Sequence, residues 1–120
     1  MSRAVGEHYA GLFSNDDLLA EQLAAAARQA GEPAWRLPLD PVHYEQISSE
    51  IADVLNGGSG RAGASLGAAF IGTFIREGQT WAHFDIAGVD FAEEPVPTVP
   101  KGYSGYGVRM LDQFIRNTRE

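Results

Sequence analysis

Residues 81–109 read WAHFDIAGVDFAEEPVPTVPKGYSGYGVR. Three patterns follow one another in this stretch. From Thr80 to Ile86 the chain alternates, with Ala82, Phe84 and Ile86 on one face and Trp81, His83 and Asp85 on the other. That is the period of a strand. Between Glu93 and Pro100 stand Pro95, Pro97 and Pro100. Each lacks an amide hydrogen, so this segment is not regular structure. Gly102, Gly105 and Gly107 predict a flexible turn. Beyond them, Val108, Leu111, Phe114 and Ile115 recur at helical spacing and predict a terminal amphipathic helix.

Upstream of Trp81, residues 62–76 predict a helix that is apolar on most sides, carrying Leu66, Phe70, Ile71, Phe74 and Ile75. Such a helix is buried. Gly63, Gly67 and Gly72 lower its intrinsic propensity by roughly 1 kcal/mol each relative to Ala where exposed, which predicts close approach of a neighbour. Gly78 ends it. Nearer the start, Val5 to Phe13 predicts a short strand. Ser14-Asn15-Asp16-Asp17 predicts a helix start, because these side chains accept from unpaired amides and suit the positive end of the dipole. Leu19, Leu23, Ala26 and Ala30 continue that helix, and Gly31 with Pro33 closes it. Trp35 to Leu39 is extended. Asp40-Pro41 reads as a cap followed by proline at the first helical position, with Tyr44, Ile47 and Ile51 as its apolar stripe.

The fold class is α/β: one domain over residues 1–120, with a small partial mixed sheet flanked by helices. Two or three strands do not bury this many apolar helices alone. The chain therefore either borrows surface from a partner or forms the end of a larger sheet.

Composition narrows the function. With 44% hydrophobic residues the chain has enough apolar matter for a core. A formal net charge of −7 and no basic patch disfavour nucleic acid and anionic lipid. Cysteine is absent, which removes disulfides and thiolate metal sites and fits a cytoplasmic location. No apolar run reaches the roughly 18 residues of a membrane span, and no apolar signal core opens the chain.

Each candidate site has a plainer alternative. Gly58-Ser59-Gly60-Arg61-Ala62-Gly63 matches GxGxxG, but residues 48–55 before it read as helix, where a dinucleotide site needs a strand. The glycines are better explained by a closely packed helix entry, with Arg61 in a structural ion pair or bonded to backbone carbonyls. His83 and Asp85 share a strand face. As metal ligands they are too few, and a hydrogen-bonded pair holding the following turn is the better expectation. Asp90, Glu93 and Glu94 form an exposed acidic loop. No serine has a partner base at recognisable spacing.

Several motifs resemble the leucyl (cytosol) aminopeptidase family, in the family's order. Ala10 to Asp17 looks like its AG-x-FSND segment, and Trp35 to Leu39 like its W-R-L-P-L. Ile51-Ala52-Asp53, Asn56, Gly60-Arg61 and Gly63 are similar to its AD-x-x-N-x-x-GR-x-G passage, slightly altered around the glycines. His83 with Asp85-Ile86-Ala87-Gly88 resembles H-x-DIAG. Pro100-Lys101-Gly102, Gly105 and Gly107-Val108-Arg109 resemble PKG-x-x-G-x-GVR. Together they cover nearly the whole chain.

The resemblance implies the C-terminal end of a catalytic domain that releases N-terminal amino acids from peptides. Family members hold two divalent metals, Zn or Mn, through a lysine and carboxylates. The last of those carboxylates lie in an NTDAEGR segment, which is absent here. A second catalytic lysine is likewise upstream in the family, and the sole lysine here is Lys101. The resemblance thus implies no catalytic and no metal-ligating residue in this chain. It places Ala87, with Asp90 beside it, at the pocket for the substrate's N-terminal side chain. It further implies self-association, since the family forms hexamers through its catalytic domains. Two functions are expected from this: a fragment or truncated relative that supplies scaffold and pocket to a metal-bearing half, or a non-catalytic pseudo-peptidase module for oligomerisation or binding.

Overall fold

The computed structural model describes residues 5–53, 63–92 and 101–119. The predicted Val5–Phe13 strand is shorter at its start. Val5 is helical, Gly6 turns the chain at φ 75°, and strand β1 runs Ala10–Ser14. Helix α1, Asp17–Gln29, starts as its sequence predicts, with Asp16 Oδ2 accepting from the Leu19 amide at 2.7 Å. Gly31, at φ 72°, sits where the chain leaves that helix. Strand β2, Ala34–Arg36, pairs parallel to β1 with Gly11 opposite Trp35. Strand β3, Ala82–Asp85, pairs antiparallel on the other side of β1, with Leu12 opposite Phe84. The sheet is therefore mixed, in the order β2-β1-β3.

Alternation along β1 divides the molecule. Ala10 and Leu12 face a cluster formed with Ala20, Leu23, Ala26 and Ala27 of α1, Ala34 of β2, and Met110. Ala82 and Phe84 pack against the same cluster. Small alanines let α1 sit close to the sheet, and the final helix α4, Val108–Thr118, lies against α1. Phe13, fully buried, points to the opposite face, where its ring meets His83.

Apart from that cluster lie α2, Pro41–Asp53, and α3, Gly63–Gly72, of which α3 touches β1. They pack on each other through Ile47, Leu66 and Ala69, with Leu39 and Tyr44 against them. The start of α2 uses its sequence fully: Pro41 takes the first helical position, and His43 Nδ1 accepts from the Asp40 amide at 2.9 Å. This is the capping-box bond with histidine in place of glutamate. Ser65 Oγ donates to Pro38 O and ties α3 to the same corner.

Several expectations need correction. The apolar helix ends at Gly72, and residues 73–75 form turns. It is not covered all round either. Ser65, Leu66, Ala68 and Ala69 are buried, while Phe70, Ile71 and Phe74 are exposed, Phe74 at 76%. Second, only Gly72 is closely approached. A Cβ there would meet the Tyr44 hydroxyl and stand 2.8 Å from Trp81 Cζ2, whereas Gly63 and Gly67 face open space. Third, the core residue of α4 is Met110, with Phe114 one turn on, while Val108, Leu111 and Ile115 are exposed. The helix does have two apolar rows, and their spacing alone does not tell which row faces inward.

Residues 102–107 are also not a loose turn. Gly102–Tyr103 forms β5, which pairs antiparallel with β4, Phe91–Ala92.

Candidate functional site

Strand β3 leads straight into the turn that the sequence singles out. Asp85 Oδ1 accepts from the Ala87 amide at 3.1 Å. Ile86 O accepts from both Val89 N and Asp90 N, each at 2.9 Å. The chain thus folds back over residues 86–90 with its amides satisfied locally, as an Asx-initiated turn does. Ala87 and Asp90 are both exposed, while Val89 turns inward against the main core cluster.

The expected hydrogen-bonded pair of His83 and Asp85 is corrected here: the two side chains have separate contacts. Asp85 holds the turn through Ala87 N, and the His83 ring lies on Phe13 at 5.8 Å between centroids. Arg61, Glu93 and Glu94 lie outside the described residues, as does the glycine-rich loop before Gly63.

The turn is fastened from behind by Ser104. Its amide donates to Asp90 O at 2.8 Å, and its hydroxyl donates to Val89 O. The same hydroxyl accepts from Tyr106 N at 3.2 Å. Tyr106 in turn donates its phenol to Glu32 O at 2.7 Å. The Tyr106 phenol is held well above the usual range, first by burial and then by the nearby Glu32 carboxylate.

Glu32 is a buried acid, 4% exposed, in the connection from α1 to β2. Its Oε1 accepts from Met110 N at 2.8 Å and Gly107 N at 3.2 Å, and Arg109 Nη2 stands 3.6 Å from Oε2. A buried carboxylate is costly unless so paired. Here it fills the N-terminus of α4, whose unbonded amides and dipole favour an anion. Gly107 adopts φ 104° at this cap, a backbone that side chains resist. The sequence shows GVR plainly, but Glu32 gives little signal. A lone acid after a helix-ending glycine reads as solvent-exposed.

Among the described residues, no group of three or more His, Asp or Glu is gathered so as to hold a metal ion. The described residues therefore do not fit a two-metal centre. Nor is any helix among them long and apolar enough to cross a membrane.

The described fold is a mixed three-stranded sheet with α1 and α4 packed at one cluster, and β3 runs on into a fastened turn. The family model described as "Cytosol aminopeptidase family, catalytic domain" matches residues 1–112, and the chain belongs to that family. A probable cytosol aminopeptidase of Rickettsia bellii (strain OSU 85-389) is 47% identical over 119 residues, 98% of this chain and 24% of that protein. One from Roseiflexus castenholzii is 47% identical over 118 residues, again 98% and 24%. Among solved structures, the bottromycin maturation enzyme BotP in complex with Mn superposes with a TM-score of 0.89 at 35% identity, covering 99% of this chain and 26% of that one. A tomato leucine aminopeptidase mutant gives 0.83 at 35% identity, covering 97% and 22%. The chain thus spans about a quarter of the length of the relatives it matches.

Proposed function

We propose that this chain is the scaffold and substrate-side part of a leucyl-type aminopeptidase that releases N-terminal amino acids from peptides. In this reading, residues outside these 120 hold two divalent metals, Zn or Mn, which activate the attacking water when bound. The observation that carries it is the match of nearly the whole chain to about a quarter of each relative. The described residues lack a metal-holding group of their own. Ala87 and Asp90 border the pocket for the N-terminal side chain. Ala87 offers little steric bulk and Asp90 a negative charge, so a substrate with a cationic N-terminal side chain is better served than an acidic one. The site of action is the cytoplasm.

This chain's own work is structural. It fixes the turn at residues 86–90 and presents Phe70 and Ile71 of α3, with Phe74 just beyond it, to the metal-holding portion or to further copies of itself. That exposed row equally favours the second reading, a non-catalytic module that assembles or binds through it.

Complementation separates the two. The chain is mixed with the metal-holding portion of a cytosol aminopeptidase and manganese, and hydrolysis of leucine amide is followed. The first reading predicts turnover by the pair and none by either part. An inactive pair that nevertheless forms a stable complex would leave only the module reading.

A further inference from the structure

We propose that Ser104 is the positioning residue of the 86–90 turn, and that it sets the shape of the substrate-side pocket from behind. The claim about the pocket rests on the functional reading above; the claim about the turn does not. The turn is exposed at Ala87 and Asp90, and Val89 is its residue packed against the core cluster. From the β3 side, the described side chain that holds it is Asp85. On the far side two consecutive carbonyls, Val89 O and Asp90 O, are both taken by one residue, Ser104, through its hydroxyl and its amide. Among the described residues, no other bonds to both.

Ser104 is in turn anchored to the body of the fold. Its hydroxyl accepts from Tyr106 N, and Tyr106 reaches the Glu32 carbonyl, while the Glu32 carboxylate holds Gly107 N and Met110 N. A continuous line of hydrogen bonds therefore runs from the α4 cap to the turn. Its last link is a single hydroxyl that donates in one direction and accepts in the other. Alanine cannot do either, whereas threonine can do both.

The test compares Ser104→Ala, Ser104→Thr and Tyr106→Phe in the 120-residue chain by amide hydrogen exchange. Loss of one such bond changes a local opening equilibrium by about tenfold. Val89 N and Asp90 N are expected to exchange about tenfold faster in Ser104→Ala and at the parent rate in Ser104→Thr. Leu12 and Phe13 of β1 remain unchanged in all three. Tyr106→Phe, which spares Ser104, disturbs residues 106–107 more than 89–90. Unchanged protection at Val89 and Asp90 in Ser104→Ala would overturn the proposal.

The second readout uses the active pair described above. Ser104→Ala is expected to raise KM for leucine amide about fivefold while kcat stays within about twofold, and Ser104→Thr to restore KM. Faster exchange without any change in KM would overturn the link to the pocket. A parent pair without turnover would sink the functional reading, and the exchange result would still decide the role of Ser104 in the turn.

Discussion

Glu32 shows how one side chain can join elements far apart in sequence. It leaves the α1–β2 connection, enters the N-terminus of α4, and meets two amides and the Arg109 guanidinium. Replacing it by alanine strands those amides in a buried place, so Glu32→Ala should lower stability by about 2–3 kcal/mol, read from the midpoint of urea unfolding. Glu32→Gln, which keeps one acceptor oxygen, should cost less. Tyr106 adds a dependence on alkaline pH. Its phenol ionises with more difficulty in the folded state than in the unfolded chain, so the folded state holds that proton more tightly. Its contribution is complete below the ordinary phenol value of about 10 and is lost as pH rises above it towards the higher folded value. Unfolding midpoints measured from pH 8 to 11 should fall at the top of that range, and Tyr106→Phe should flatten the fall. Neither contact is visible in sequence, because residues 32 and 106 are brought together only by the folded chain. The helix start at Asp16 is local, and its sequence shows it directly.

Among the elements, the helices show what spacing reveals and what it leaves open. Their existence and their caps follow from short-range chemistry: Asp16, Pro41 and Gly31 act within a turn of their own positions. The inward face of α4 does not follow, since Val108, Leu111 and Ile115 form as regular a row as Met110 and Phe114. Only the alanine-rich surface of α1 selects the second. The glycines of α3 divide the same way. Gly72→Ala would push a methyl group against Tyr44 and Trp81 and should destabilise by about 1–3 kcal/mol. Gly67→Ala meets open space inside a helix and should stabilise by about 0.5–1 kcal/mol. The pair checks both halves of the packing account in one set of thermal melts. At the start of α2, His43→Ala removes the acceptor for Asp40 N and should cost about 1 kcal/mol.

At the scale of the molecule, three strands and a two-stranded ribbon carry four helices among the described residues. The layered α/β class was legible from the alternation at 80–86 and from the helical periods on either side. The ribbon was not, because β4 and β5 are two residues each, too short to show alternation. The pocket assignment came from motifs, and geometry adds how the turn is held. The exposed Phe70, Ile71 and Phe74 match a chain that is about a quarter of its relatives' length. The whole account turns on a division of labour, with shape on this chain and metals elsewhere. Its most direct test is leucine amide hydrolysis by the purified 120-residue chain with excess manganese or zinc. The account predicts no release of leucine above the metal-only blank; metal-dependent release that a chelator abolishes would contradict it.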